Sequence, residues 1–287
     1  MARVTAPAKL NFRLMVLARE EDGFHQIETL FARIRLADEI DIAPGTNGIR
    51  LRVANAQLGP PEDNLVFRAA VAFQLRIART LDLDIELDKH VPAGAGLGGG
   101  SSDAAATLME LNRMHGAPLA AHELHALATT LGSDVPFFLS PAPFAIAWGR
   151  GERILPLTPP PDAHVLIGIA DQPVSTAEAY ALLAAHRRSH AHAPLPPLPA
   201  HVDLARWEMI ARYAVNDFED VLLSLLPGAA ALRQCFERAG AMIARLTGSG
   251  AAVFGIFQDA ARLDAAAATA SAIAPHAQLI RTQTEFG

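Results

Sequence analysis

A cluster of glycines in the first half of the chain limits what this chain can fold into. Five of the seven residues from Gly94 to Gly100 are glycine, and Ser101, Ser102 and an alanine-rich apolar run follow them. Glycine allows positive φ angles and a close approach of the backbone to a ligand. The start of a helix offers unpaired N–H groups and the positive end of the helix dipole. The pattern therefore predicts a phosphate-binding loop at the beginning of a helix.

Three kinds of phosphate-binding loop carry a comparable glycine pattern. A P-loop is excluded, because no lysine lies in or directly after the cluster. Gly94, Gly96 and Gly99 match the dinucleotide pattern G-x-G-x-x-G, but a second predicted helix follows where that fold needs a strand ending in an acidic residue, and Glu123 lies inside this helix. We favour the third kind, a loop that wraps a nucleoside triphosphate. The structural alternative is a flexible glycine hairpin whose Ser or Asp residues only cap the helix.

The basic residues are almost all arginine. Of 24 basic side chains, only Lys9 and Lys89 are lysines. Lysine is a compact, flexible point charge, whereas arginine is a planar fork. A lysine retained in this chain is therefore a candidate for a role that arginine performs badly.

The bulk composition favours a globular cytoplasmic protein. The 287 residues suffice for one large domain or two smaller ones, and a net charge of −6 argues against nucleic acid as a partner. The first apolar residues are interrupted by Lys9, Asn11 and Arg13, unlike a signal peptide, and no stretch is apolar enough to span a membrane. The single cysteine, Cys235, is expected to be a small buried apolar residue.

Hydrophobic periodicity predicts an α+β protein with a strand-rich N-terminal region. Strands are predicted at 2–6, 9–17, 25–36, 38–42, 81–88, 164–170 and 277–284, with a strand–turn–strand over 242–257. Helices are predicted at 64–78, at 103–115, ending at Gly116, and at 121–131, 175–186, 205–213, 216–226, 228–239 and 259–273. The acidic face of 81–88 is interpreted as solvated rather than metal-binding.

Two proline-rich segments mark breaks in this pattern. The segment 156–162 predicts a boundary between domains 1–157 and 158–287. The Pro- and His-rich segment 186–201 predicts an extended surface loop.

The glycine cluster and seven other segments resemble one enzyme family. PAGAGLGGGSSDAA (92–105) is similar to the central motif of the GHMP kinases, P-x-x-x-G-L-[GS]-[GS]-S-[SA]. Further segments resemble the branch that phosphorylates 4-diphosphocytidyl-2-C-methyl-D-erythritol: APAKLN (6–11), DGFH (22–25), EDNLV (62–66), LGSDVPFF (131–138), VSTAEAY (174–180), NDFE (216–219) and LTGSGAAVF (246–254). These segments follow the family's order and are together far more specific than the glycine cluster alone.

The resemblance implies a fold, a reaction and partners. The fold would have two lobes, an N-terminal nucleotide-binding domain like domain 2 of ribosomal protein S5 and a C-terminal α/β sandwich, with the active site between them. The reaction would transfer the γ-phosphate of ATP, with Mg²⁺, to the 2-hydroxyl of the cytidyl substrate. The chain would be a monomer or weak homodimer. The alternatives are a kinase of mevalonate or homoserine, a non-catalytic binding protein of the same fold and, more distantly, a dinucleotide-dependent oxidoreductase.

The resemblance also assigns site residues. Asp134 would accept the proton of the substrate hydroxyl, and Lys9 would pair with Asp134 and stabilise charge near the γ-phosphate. ATP binding is assigned to Asn64, Pro92, Ala93, Gly94, Ala95, Gly96, Leu97, Gly98, Gly99, Gly100, Ser101 and Ser102. Substrate binding is assigned to Asn11, Phe24, His25, Thr176, Tyr180, Gly248, Ser249 and Gly250. The family often has tyrosine where Phe24 stands, a change that preserves stacking but removes a phenolic hydrogen bond. No carboxylate is assigned to Mg²⁺.

Overall fold

The structure is a computed structural model that describes residues 2–21, 23–171, 173–189, 198 and 203–287. Its strands are β1 (Ala2–Arg19), β2 (His25–Pro44), β3 (Ile49–Ala54), β4 (Leu83–Asp88), β5 (Phe144–Gly149), β6 (Arg153–Pro156), β7 (His164–Ile169), β8 (Val215–Asn216), β9 (Ile243–Leu246), β10 (Ala252–Phe257) and β11 (Gln278–Gln283). Its helices are α1 (Leu65–Arg76), α2 (Gly99–Met114), α3 (Ala121–Leu131), α4 (Val135–Leu139), α5 (Thr176–Ser189), α6 (Trp207–Tyr213), α7 (Glu219–Leu225), α8 (Pro227–Arg238) and α9 (Ala260–Ile273).

Two long antiparallel strands form the centre of the N-terminal sheet. β1 and β2 were each predicted as two shorter strands, and this prediction was wrong. The breaks were expected near Pro7 and Asp38, but the pairing passes them because register shifts in β1, between Pro7 and Lys9 and between Asn11 and Arg13, absorb the irregularities. Lys9 and Asn11 therefore lie in the middle of a continuous buried strand.

The remaining strands extend this sheet in the order β3-β4-β2-β1-β8. β2 pairs with β5 along its first part and with β4 along its second part, and β6 pairs with β5. Helices α1, α2, α3 and α4 pack against one another, and α2 packs on β1 and β2. The main apolar core of this lobe lies between these helices and the sheet.

The C-terminal lobe is built on a second, four-stranded antiparallel sheet in the order β11-β7-β10-β9, against which α8 and α9 pack. Buried side chains from the two lobes pack into one apolar core. Phe12 of β1 packs against Phe144, Trp207 and Phe254, with ring centroids 6.2, 5.6 and 5.8 Å away. The short strand β8 also joins the N-terminal sheet by pairing in parallel with β1. The two lobes are therefore joined by a shared apolar core and by strand pairing.

Capping residues set most helix ends near their predicted positions. Asn64 Oδ1 accepts a hydrogen bond from the N–H of Val66 at 2.9 Å and caps α1. Gly116 follows α2 with a φ of +78°, as expected for a residue that ends a helix. Three predicted ends were wrong: α2 begins at Gly99 rather than at 103, and α5 continues to Ser189, into the predicted loop 186–201. Helix α7 begins at Glu219 rather than at 216, because Asn216 belongs to β8. Of that loop, 190–197 and 199–201 lie outside the described residues.

The burial of the cysteine and the length of the helices can be compared with the sequence predictions. Cys235 is buried, as predicted. Within the described ranges, no helix is both long enough and apolar enough to cross a bilayer.

Candidate active site

The predicted catalytic pair comes together at one end of the glycine loop. Lys9 is buried in β1, and its Nζ lies 3.4 Å from Oδ2 of Asp134, which directly precedes α4. Lys9 Nζ also donates hydrogen bonds to Oδ1 of Asn11 at 2.6 Å and to the carbonyl of Gly96 at 2.9 Å. The Asp134 carboxylate is about a third exposed, and the described residues give it no ion-pair partner other than Lys9. One of its oxygens is therefore available to a substrate hydroxyl.

The surroundings of Lys9 act on its pKa in opposite directions. Burial lowers the pKa of the ammonium below its ordinary value, and the negative charge of Asp134 partly opposes this effect. Asp134 thus holds the Lys9 ammonium charged inside a largely apolar strand.

Replacing Asp134 by Asn is expected to lower the pKa of Lys9 further, because burial remains while the opposing charge is lost. ¹³Cε-labelled lysine gives a direct measurement, since the chain contains only Lys9 and Lys89. The Lys9 signal, identified by its absence in Lys9→Met, should titrate at lower pH in Asp134→Asn, while the Lys89 signal should not move. An unchanged Lys9 titration would show that the two groups are not electrostatically coupled.

The glycine loop is held against β1 by backbone geometry that requires glycine. Gly94, Gly96 and Gly98 have φ angles of +71°, +82° and +73°. A Cβ on Gly98 would lie 2.8 Å from Cγ of Lys9, and the N–H of Lys9 donates to the carbonyl of Leu97 at 2.9 Å. The loop therefore passes directly over Lys9.

Helix α2 begins inside the glycine cluster, with Gly98 as a left-handed N-cap that supplies no side-chain hydrogen bond. The N–H groups of the first turn have no partner within the helix and are available to phosphate. Ser101 is half-buried at this end. Ser102 is buried, and its Oγ has no hydrogen-bond partner among the described residues. Ser101 is therefore better placed than Ser102 to reach a nucleotide.

The other residues assigned to ATP differ in exposure. Pro92 is half-buried, Ala93 and Gly94 are exposed, and Ala95 and Leu97 are buried in the core between the lobes, so only the backbone of the last two can reach a ligand. Asn64 caps α1 next to Leu65, whose Cδ1 lies 3.5 Å from the Cβ position of Gly100. Asn64 does not line the cleft described below, and its contact with adenine stays a prediction.

A second loop, 247–250, meets the glycine loop from the C-terminal lobe. A Cβ on Gly96 would lie 2.1 Å from the carbonyl oxygen of Thr247, and a Cβ on Gly250 would lie 2.5 Å from the carbonyl carbon of Ala95. Asn216 holds this second loop by donating to the carbonyls of Leu246 and Gly248, each at 2.9 Å. The two loops therefore form one close-packed unit, and Gly250 is buried within it.

Asn11 connects Lys9 to the second loop. Its buried Oδ1 accepts hydrogen bonds from Lys9 Nζ and from the N–H of Gly248, the latter at 2.9 Å. Its Nδ2 donates to Oγ1 of Thr29 at 2.8 Å, and its N–H donates to Oγ1 of Thr247 at 3.1 Å. The N–H of Gly248 is therefore already used within the protein and is not free to donate a hydrogen bond to a ligand.

A cleft of about 940 Å³ opens beside Lys9 and Asp134. Its lining includes both residues predicted to be catalytic and seven of the eight residues predicted to bind substrate: Asn11, Phe24, His25, Thr176, Tyr180, Gly248 and Ser249. These residues come from both lobes, and Oγ of Ser249 donates to Oγ1 of Thr176 at 3.1 Å across the cleft floor. The structure thus brings together segments that are more than 200 residues apart in the chain.

Aromatic side chains form one part of the cleft lining. The rings of His25 and Tyr180 are stacked, with centroids 4.4 Å apart, and Tyr180 meets Phe218 edge to face at 5.0 Å. Phe24 is about half exposed, and the guanidinium of Arg150 lies 4.1 Å from its ring centroid. Because His25 and Tyr180 are in contact, a base that stacked on the covered face of Tyr180 would have to displace the imidazole.

Sequence reasoning missed the cations of the cleft. Arg19, Arg150 and Arg188 line it together with the aromatic side chains. Arg150 pairs with Glu20, whereas Arg19 and Arg188 have no ion-pair partner among the described residues. The sequence could have predicted the position of Arg188. It follows Tyr180 by eight residues and therefore lies on a similar face of α5.

Comparison with known proteins places these features in a family. Residues 64–141 match the family model described as GHMP kinases N terminal domain, and residues 200–275 match GHMP kinases C terminal. A 4-diphosphocytidyl-2-C-methyl-D-erythritol kinase from Salinibacter ruber is 38% identical over 273 residues, covering 91% of this chain and 92% of that protein. One from Prosthecochloris aestuarii is 37% identical over 275 residues, covering 94% and 93%.

Solved structures agree with this comparison. A crystal structure of 4-(cytidine 5'-diphospho)-2C-methyl-D-erythritol kinase covers 100% of both chains with a TM-score of 0.81 and 33% identity. A homoserine kinase from Cytophaga hutchinsonii covers 99% of this chain and 94% of that chain with a TM-score of 0.67 and 15% identity, a likeness of fold alone. The two-lobed α+β fold expected from the sequence is therefore confirmed.

Proposed function

Because the chain belongs to the 4-diphosphocytidyl-2-C-methyl-D-erythritol kinases of the GHMP superfamily, we infer that it transfers the γ-phosphate of ATP to the 2-hydroxyl of that cytidyl compound. This reaction belongs to the non-mevalonate route to isoprenoid precursors. The observation that carries the inference within the structure is the Lys9–Asp134 pair at the junction of the glycine loop and a cleft with an aromatic end.

Asp134 is proposed as the general base. Its partly exposed carboxylate accepts the proton of the attacking hydroxyl, which makes the oxygen more nucleophilic towards the γ-phosphorus. Lys9 forms an ion pair with this carboxylate and places a positive charge where negative charge develops on the transferring phosphoryl group. Asn11 fixes the position of the Lys9 ammonium through its amide oxygen.

The first turn of α2 and the glycine loop are proposed to hold the triphosphate. Free backbone N–H groups and the helix dipole attract the phosphate oxygens. Among the described residues, no three His, Cys, Asp or Glu side chains cluster so as to hold a metal ion. Mg²⁺ prefers phosphate oxygens and water, so a site in which the nucleotide and the Ser101 hydroxyl hold it fits these residues. Bound there, it would neutralise charge on the phosphates.

The aromatic part of the cleft fits a cytidine diphosphate. Burial, together with the charges of Arg19 and Arg187, lowers the pKa of His25, so its neutral imidazole offers one donor and one acceptor to a base. Phe24 offers a half-exposed ring face for stacking, and Arg19 and Arg188 supply positive charge for a diphosphate. Mevalonate and homoserine carry no base that would use these groups.

The assignment is tested by phosphotransfer from ATP with Mg²⁺ to a panel of the cytidyl substrate, mevalonate and homoserine. Turnover of the cytidyl compound alone is expected. Asp134→Asn protein purified in the same way serves as a control for contaminating kinases. Turnover of mevalonate or homoserine without turnover of the cytidyl compound would refute the assignment.

Phe24→Ala is expected to raise the KM for the cytidyl substrate about tenfold, because stacking on an aromatic ring contributes about 1–3 kcal/mol per base. The KM for ATP and kcat should change little. Trp148→Ala is a suitable control, since this exposed aromatic residue of β5 does not line the cleft. An unchanged KM for the cytidyl substrate in Phe24→Ala would assign the ring to packing instead.

Three broader properties follow as proposals. The chain acts as a monomer or weak homodimer in the cytoplasm. It divides functionally into an ATP-binding domain (1–157) and a C-terminal domain (158–287). A break at this position falls between β6 and β7. Strand β6 belongs to the N-terminal sheet, and β7 is the first strand of the C-terminal sheet.

A further inference from the structure

The second lysine of the chain, Lys89, lies beneath the glycine loop and plays no part in the mechanism above. It follows β4 directly, and its side chain is 5% exposed. Its Nζ donates to Oδ2 of Asp38 in β2 and, at 2.8 Å, to Oδ2 of Asp103 in α2. Both carboxylates are buried. We refer to Asp38, Lys89 and Asp103 as the loop clamp.

The loop clamp connects both ends of the glycine loop. At the entry, Oδ1 of Asp38 accepts hydrogen bonds from the N–H groups of His90 and Val91, at 2.6 and 2.8 Å. At the exit, Asp103 belongs to the start of α2, the turn that follows the loop. The Lys89 ammonium therefore bridges Asp38, which binds the backbone before the glycine loop, and α2, which follows the loop.

The space around Lys89 explains why this position is not one of the many arginines. Its Nζ lies 3.2 Å from the Cβ position of Gly99, the first residue of α2. A compact ammonium fits between two carboxylates at this distance from a backbone, whereas a planar guanidinium needs more room. Lys9 and Lys89 are the two lysines of the chain. Both ammonium groups lie against the glycine loop or the first residue of α2, where a small cation fits.

The charges in the loop clamp do not balance. Two buried carboxylates share one ammonium, and burial together with the nearby Asp38 raises the pKa of Asp103 to about 7. Oδ1 of Asp103 has no hydrogen-bond partner among the described residues. Removing Asp103 therefore leaves the balanced pair of Lys89 and Asp38, whereas removing Lys89 would leave unpaired buried charge.

We propose that the loop clamp positions the glycine loop and the first turn of α2 for the triphosphate, so that Lys89, Asp38 and Asp103 set nucleotide affinity without touching the nucleotide. The inference rests on the proposed role of this loop in binding ATP. The three residues are positioning residues, and their effect should fall on ATP rather than on the alcohol substrate.

Asp103→Ala is the variant that tests this role, because it cuts the connection to α2 without leaving an unbalanced charge. Its Kd for a non-hydrolysable ATP analogue, measured by calorimetry with Mg²⁺, is expected to rise about tenfold. The KM for the cytidyl substrate at saturating ATP should stay within a factor of about two. Asp103→Asn retains an oxygen acceptor for Lys89 and is expected to restore most of the affinity.

Two controls separate positioning from general stability. Asp84→Ala removes an exposed carboxylate that pairs with Arg50 and should leave the analogue Kd unchanged. All measurements are made well below the Tm of each variant. An unchanged Kd in Asp103→Ala, or an equal loss of affinity for both substrates, overturns the proposal. Failure of the unmodified protein to bind the analogue would instead refute the proposed function of the loop.

Discussion

Asp134→Asn should lower kcat at least about a hundredfold, the lower end of what general-base catalysis contributes. The substitution preserves the shape of the side chain but removes both the proton acceptor and the partner of Lys9, at 3.4 Å. Because Asp134 is partly exposed at the start of a helix and supplies no capping hydrogen bond, the fold should tolerate the change. Steady-state kinetics with both substrates at saturation measure the effect directly.

Lys9→Met should reduce kcat to a similar extent, for a different reason. Methionine fills much of the same apolar space beside Phe31 but supplies no positive charge for the phosphoryl group. It also leaves Oδ1 of Asn11 without its shortest hydrogen bond. The double variant should be no worse than about the more impaired single variant, since residues that act as a unit are not additive.

Asp264→Asn provides the matched control for Asp134. Asp264 also forms an ion pair, with Arg281, but on an exposed surface in the C-terminal lobe. The kcat and KM values of Asp264→Asn should equal those of the unmodified protein. Near-normal kcat in Asp134→Asn would remove this carboxylate from the mechanism, and near-normal kcat in Lys9→Met would do the same for the lysine.

The sequence predicted local chemistry better than it predicted where elements begin. The glycine cluster predicted a phosphate loop followed by a helix, but α2 begins earlier than predicted, at Gly99, directly after Gly98 takes a left-handed conformation. Likewise, Pro7 suggested a break in β1, whereas a register shift carries the strand past it. Both differences arise from tertiary contacts, which override the local preferences that periodicity reports.

Residues that act through contacts across the chain were the ones that the sequence could not reveal. The scarcity of lysine drew attention to Lys9 and, equally, to Lys89, but only the structure shows that Lys89 bridges carboxylates from β2 and α2. Similarly, Asn11 was predicted to contact substrate, and its oxygen turns out to hold Lys9 and Gly248 together. These roles depend on distances between strands and loops that are far apart in the chain. The spacing of residues in the sequence does not predict such distances.

Gly96→Ala is expected to lower kcat/KM about a hundredfold, because a displacement of about 1 Å in an active site can cost that much. A Cβ at this position would lie 2.1 Å from the carbonyl oxygen of Thr247, so one of the two loops must move. The carbonyl of Gly96 also accepts a hydrogen bond from Lys9, so the displacement reaches the catalytic lysine. The free energy of unfolding should fall by about 1–2 kcal/mol from the φ of +82° and by about 1–3 kcal/mol from overpacking.

Gly116→Ala separates these two contributions. Gly116 has a similar φ of +78°, but apart from its own chain neighbours no atom of the described residues lies within 4 Å of its Cβ position. It should lose only the conformational part, about 1–2 kcal/mol, with unchanged kinetics. If Gly96→Ala were no worse than Gly116→Ala in denaturant unfolding and in kcat/KM, then the close contact between the two loops would not exist in solution. A larger loss in both measurements would mean that the C-terminal lobe holds the ATP loop in place by direct contact.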